Sequence, residues 1–244
     1  MGTRQHSKRP PRPSFWGFSM RRSAQERRAL TWWVVGVVLL ILVVDQGLKF
    51  WIKTNFYLGE QVMLLGDKVR LVFTENNGMA FGLSAGGELG KLLLSTFRIV
   101  ATALLAYMLH WFIRFKEIPK GFVLGLAFIF VGALGNIIDG TFYGLLFSSS
   151  DGLEVLPDGQ MAPAVATFLP AEGGYAPLFH GKVVDMFYCP IIDVVLPGWV
   201  PLWGGERFVF FEPIFNVADA AITCGVLYML IFHWKFLTHG GNRR

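Results

Sequence analysis

The chain has 244 residues, 53% of them hydrophobic, a mean hydropathy of +0.48 and a formal net charge of +5. That balance is too apolar for an ordinary soluble domain with a polar surface, so a membrane protein is the first expectation. The positive charge does not indicate nucleic acid, because the basic residues flank apolar runs and no base-stacking motif accompanies them.

Residues 1–30 form a basic tail with Pro10, Pro11 and Pro13, expected to be a disordered tether or to lie on an anionic inner leaflet. An apolar run over about 31–52 reads as a first transmembrane helix. A basic leader before an apolar run also fits a cleaved signal peptide, but no small-x-small site follows and the run continues directly into "DQGLKFWIK". An outer β region follows over about 57–84, where "QVMLLGDKVRLVF" (61–73) places a Gly-Asp turn between β-favouring runs and reads as a hairpin. Second and third spans are expected at 92–113 and 121–138.

Residues 140–213 are rich in Gly and Pro and too polar to span. Within them 145–180 reads as a mobile insertion, and "GKVVDMFYCPIIDVVLP" (181–197) as strands against the bilayer surface. A fourth span over 214–236 and a short tail, 239–244, complete the chain. Each run approaches the roughly 20 residues that a helix needs to cross hydrocarbon. The expected fold is thus an all-α integral membrane protein of four transmembrane helices in one domain, 31–238, with a small extracytoplasmic β-sheet and a long outer loop. Cys189 and Cys224 do not suggest a disulfide framework.

Charge orients the plan. The tail carries eight basic residues against Glu26, and Arg114, Lys116 and Lys120 fall between spans two and three, whereas Asp139 to Glu212 holds nine acids against Lys182 and Arg207. Both termini are therefore expected in the cytoplasm and the long segment outside. Trp32, Trp33, Trp51, Trp111 and Trp234 fall near span ends and read as interfacial anchors.

Ionisable residues near spans are costly and ask for a reason. Asp45 and Lys49 end the first span, Asn136 and Asp139 end the third, and Asn216 and Asp219 begin the fourth, all on the outer side. Convergence on one site is expected. Each has a structural alternative: Asp45 with Lys49 as a neutralising i,i+4 pair, the asparagines as interhelical hydrogen bonds, Asp139 as a cap or holder of the following turn. Arg98, deep in the second span, has no partner that the sequence identifies. Asp219 has no basic residue within one helical turn.

No G-x-S-x-G elbow and no H-E-x-x-H occur, and of the histidines only His180 lies outside, so serine and metal chemistry are poor fits. Two carboxylates sharing one proton suffice for hydrolysis, one as base for water and the other as hydrogen-bond donor to a carbonyl. Asp219 is one member. Asp185, Asp193, Asp139 and Asp45 are candidates for the second, and spacing does not choose among them.

Five stretches, "DQGLK" (45–49), "ENNGMAFG" (75–82), "GNIID" (135–139), "VVDMF" (183–187) and "FNVAD" (215–219), resemble in order those of the lipoprotein signal peptidases, also called signal peptidase II. The resemblance covers about residues 31–236. It implies an aspartic endopeptidase of the bacterial inner membrane, with Asp185 and Asp219 as the catalytic pair and Asp193 structural. It places Asp45, Lys49, Asn76, Gly78, Asn136, Asp139 and Asn216 around the pocket. The implied substrates are prolipoproteins whose lipobox cysteine carries a diacylglyceryl group, cut on the amino side of that cysteine. No metal or cofactor is implied, membrane lipids are the other partners, and a monomer is expected.

Two departures stand out. Gly140 replaces an arginine that often follows "GNIID" in this family, with Arg207 or Lys182 as possible stand-ins, and Met79 replaces the usual alanine. The 145–180 insertion is longer than the family leads one to expect, and a lid over the cleft is the expectation for it. A proton-coupled carrier and a non-catalytic membrane adaptor are the rivals from other classes; a carrier needs a polar path to the cytoplasmic face, of which spans two to four show little.

Overall fold

The computed structural model describes residue 18 and residues 20–66, 68–77, 87–156 and 158–239. Most of the basic tail, Gly78, Met79 and residues 240–244 lie outside these.

Helix α1, Ala24–Asn55, has 32 residues, so it begins well before the apolar run at 31. The reason is a capping box: the Ser23 hydroxyl accepts the Glu26 N–H at 3.2 Å, and the Glu26 carboxylate accepts the Ser23 N–H at 2.7 Å. The expected tail boundary is corrected accordingly, since residues 20–30 belong to the fold. Arg22 is buried and donates to the carbonyls of Phe112, Ile113 and Ile118 at 3.2, 3.0 and 2.5 Å. It thereby satisfies carbonyls that a helix end leaves open.

Helices α2, Gly87–Phe112, and α3, Lys120–Ile138, follow; α3 continues through a π-helical turn, Asp139–Tyr143, into α4, Gly144–Leu146. Among the described residues, three helical stretches are long and apolar enough to cross a membrane: Ala24–Asn55, Leu93–Phe112 and Lys120–Leu146. The fourth expected span is divided. Helix α5, Val217–Phe232, has 16 residues, about 24 Å at 1.5 Å per residue, and α6, Trp234–His239, continues after a break at His233.

Small residues bring α3 and α5 together. A Cβ on Gly132 would lie 2.2 Å from the Ala218 carbonyl oxygen, so only glycine permits that approach. Gly125 and Gly225 meet in the same way one to two turns nearer the other end.

The segments expected outside the membrane have more strand than the single sheet expected. Strands β1, Gln61–Leu65, and β2, Val69–Asn76, form the expected hairpin, β2 running three residues beyond it. With β5, Val183–Tyr188, and β8, Ile214–Phe215, they make an antiparallel sheet in the order β1-β2-β5-β8. Its buried side chains Phe73, Val184 and Met186 pack with Ile52 and Phe56 of the α1 end and with Phe147. The long segment 140–213 also carries two hairpins, β3 (Leu153–Val155) with β4 (Met161–Pro163), and β6 (Ile192–Val195) with β7 (Arg207–Phe210). The segment expected as a loop is thus structured: backbone bonds such as Ala176 N–H to Gly144 O and Gly181 N–H to Gly140 O, at 3.0 and 2.9 Å, stitch it to α4 and the π-turn.

Candidate active site

Two elements meet at the start of α5. Asn216 is its N-cap: the side-chain oxygen accepts the Asp219 N–H at 2.9 Å, and the Asp219 carboxylate accepts the Asn216 N–H at 3.3 Å. A carboxylate in the first helical turn also faces the positive end of the helix dipole. This accounts locally for the two polar residues that open an otherwise apolar helix. The Asn216 amide does more, donating to Asp185 Oδ1 on the adjacent strand β5 at 2.6 Å.

A second asparagine reaches the other carboxylate. Asn136, in the last turn of α3, donates to Asp219 Oδ1 at 2.8 Å, while its own carbonyl accepts from Lys49 Nζ at 2.9 Å and from Asn216 at 3.2 Å. Asp185 and Asp219 are therefore linked through two carboxamides, from one strand and two helices. Of the acids that the sequence left open as partners of Asp219, Asp185 is the one placed on the Asn216 amide. Asp193 instead lies in the β6–β7 hairpin, bonded twice by Arg207 at 2.6 and 2.5 Å.

Beneath the pair sits a buried cation. Lys49 is fully buried and meets Asp45 at 2.9 Å, Asp139 at 2.7 Å and Asn136, so all three of its protons are used. Asp45 is more than a neutralising partner, because its other oxygen accepts the Ala218 N–H at 2.8 Å and so holds the first turn of α5 against α1. Asp139 stands where α3 passes into the π-helical turn rather than capping a helix end, and its side chain is buried in the ion cluster. Gln46, which the sequence reading passed over, donates to Asp139 at 2.9 Å and Asp45 at 3.0 Å. Its position inside "DQGLK" was the available signal. Asn76 ends β2 opposite Val183, two residues from Asp185.

Electrostatics single out Asp185. Burial first, and then the neighbouring Asp219 charge, push the Asp185 carboxyl up to about 7, while the hydrogen bond from Asn216 acts in the opposite direction. Asp219 is half-buried and Asp185 buried. The arrangement pairs a buried carboxyl that holds its proton more tightly than usual with a more accessible one.

Residues 37–235 match the family model described as Signal peptidase (SPase) II. The chain belongs to the signal peptidase II family. The lipoprotein signal peptidase of Porphyromonas gingivalis is 44% identical over 198 residues, 81% of this chain and 81% of that protein. That of Amoebophilus asiaticus is 34% identical over 204 residues, 82% of this chain and 77% of the relative. The fold is shared with a solved bacterial membrane enzyme at a TM-score of 0.51 and 20% identity, covering 86% of this chain and 93% of the other.

The two stand-ins expected for an arginine at Gly140 are engaged elsewhere. Lys182 is held by Glu75 and Asp151 at 3.1 and 2.5 Å, and Arg207 by Asp193, so neither serves the α3 end. Arg98 does face the site. It lies on the stripe of α2 that includes Ser95, Thr102 and Leu109, and the acids acting on it are Asp219, Asp185 and Asp139, in that order. Arg98, to which the sequence assigns no partner, thus lies within electrostatic range of acids from three other elements.

Proposed function

We propose that this signal peptidase II chain is an aspartic endopeptidase that removes signal peptides from diacylglyceryl-modified prolipoproteins, with Asp185 and Asp219 as the catalytic pair. The observation that carries the reading is the joint suspension of the two carboxyls from Asn216 and Asn136, one carboxyl raised to about 7.

In this mechanism Asp219, as carboxylate, takes a proton from water while the water oxygen bonds to the scissile carbonyl carbon. Protonated Asp185 donates a hydrogen bond to the carbonyl oxygen as negative charge develops on it. The proton held by Asp219 then passes to the nitrogen of the lipidated cysteine as the C–N bond breaks. Lys49, Asp45 and Asp139 do not touch the reacting atoms; they fix Asn136 and the start of α5. Arg98 adds a positive charge opposite the pair, which supports a contact with the peptide carbonyl groups.

The substrate's acyl chains and signal helix hold its scissile bond near the outer membrane surface, and the outward position of Asp219 suits that. We read four spans, with α5 and α6 together as the fourth, both termini cytoplasmic, the strands outside, and the molecule a monomer in the bacterial inner membrane. The test is cleavage of one lipobox peptide with and without its diacylglyceryl group. Asp185→Asn and Asp219→Asn each abolish cleavage of the lipidated form while the protein remains folded; retained turnover in either refutes the assignment.

A further inference from the structure

A second cluster of buried charge adjoins the site and has no part in the mechanism above. Lys53, in the last turn of α1, is fully buried, ion-paired with Glu75 of β2, and 3.0 Å from the Ser150 hydroxyl, which donates to Glu75 at 3.2 Å. Lys182 meets the other oxygen of Glu75 at 3.1 Å and Asp151 at 2.5 Å. The Tyr175 and Phe147 rings lie 5.0 and 5.5 Å from the Lys53 ammonium. One carboxylate therefore joins α1, β2, the insertion and the segment leading into β5.

The place of Glu75 in the sheet gives this cluster a use. β2 pairs with β5 at Arg70 with Tyr188 and Leu71 with Phe187, and then at Thr74 with Asp185, Glu75 with Val184 and Asn76 with Val183. Val72 and Phe73 thus stand against Met186 alone, a one-residue bulge immediately before Asp185. A one-residue shift in register turns every side chain beyond it to the opposite face, and backbone hydrogen bonds are alike in either register. Side chains must make the choice. Lys53 lies one turn beyond Lys49 on the same helix, so it is set relative to the cluster that holds Asn136 and Asp219.

We infer that Glu75, held by Lys53, is a positioning residue that locks the bulged register of β2 on β5 and so determines the face of the sheet on which Asp185 stands. Ser150 and Lys182 bring the insertion into the same lock, which makes the insertion a brace for the sheet at this point. The inference rests on the reading of Asp185 as catalytic.

The test measures kcat and KM on a lipidated lipobox peptide. Glu75→Gln lowers kcat by about a hundredfold, the scale of a small misplacement of a reacting group, and leaves KM within about threefold. Glu75→Asp restores part of the loss. In a background with Cys189→Ser and Cys224→Ser, the pair Glu75→Cys with Val184→Cys is slow when reduced and gains kcat on oxidation, because a covalent bond between register partners replaces the ion pair. Wild-type kcat in Glu75→Gln, a loss confined to KM, or a disulfide that forms without gain in kcat each overturns the inference. Asp185→Asn, run in parallel, separates the two readings: if it still cleaves, the catalytic assignment fails, and if it is inactive while Glu75→Gln is fully active, only the lock fails.

Discussion

The Asn216 carboxamide donates to Asp185 at 2.6 Å while its oxygen caps the helix that carries Asp219, so one side chain sets both the start of α5 and the position of the facing strand. Replacing it separates effects that the wild-type chain combines. Asn216→Ala removes the cap, which costs about 0.5–2 kcal/mol, and leaves Asp185 without its donor. The expected result is a lower unfolding temperature in detergent and loss of cleavage. Asn216→Asp keeps the cap, sets a third acid beside Asp185, and regains stability without regaining cleavage.

Asp185 makes the protein sensitive to pH in a direction opposite to that of most aspartates. Its folded value of about 7 lies above the ordinary 3.8, so between these limits the folded chain binds more protons here than the unfolded chain does. By linkage, this group's contribution to stability is fully present below about pH 4 and is lost as pH rises through 7, with a slope of at most about 1.4 kcal/mol per pH unit. Asp185→Asn flattens that slope, as chemical denaturation at pH 5 and pH 7.5 will register. Cleavage by the wild-type enzyme falls on the alkaline side near pH 7, where the pair loses the proton that it shares.

Lys49 holds two buried carboxylates, and removing it strands both. Lys49→Met is expected to destabilise by about 3–5 kcal/mol, the usual cost of breaking a buried ion pair from one side. Thermal unfolding should show a recovery when Asp139→Asn is added, since one of the stranded charges is then gone. A double variant no more stable than Lys49→Met would contradict the pairing described.

Two glycines of the same helical stretch should respond oppositely. At Gly132 a Cβ would meet the Ala218 backbone at 2.2 Å, so Gly132→Ala forces α3 and α5 apart, shifts Ala218 off Asp45 and lowers both stability and cleavage. At Gly140 a Cβ meets nothing within 4 Å. Gly140→Ala is expected to fold and cleave as the wild type does, within about 0.5 kcal/mol in stability.

The polar ends of the helices were legible as a meeting place because polar residues in apolar runs are few and their helical spacing is regular. The capping box at Ser23 and Glu26 was equally legible and went unread, since hydropathy registers the lipid-embedded turns and not the polar ones that start a helix. The strands of the outer segment were harder to see, because β3, β4 and β8 have three, three and two residues, too few for a period-two pattern to emerge from sequence.

By itself, the sequence determined that the chain is a membrane protein and, through five ordered motifs, the family to which it belongs. Those are properties of composition and local spacing. Residue spacing left open which acid joins Asp219 and the family resemblance named Asp185, but the amides that link the two, and the buried networks of Gln46 and Glu75, were decided only by tertiary structure. The reason is physical: Asp185 and Asp193 occupy similar apolar strand segments eight residues apart, and they differ only in what the fold sets against them. The N-cap amide of a distant helix faces Asp185, and a hairpin arginine faces Asp193.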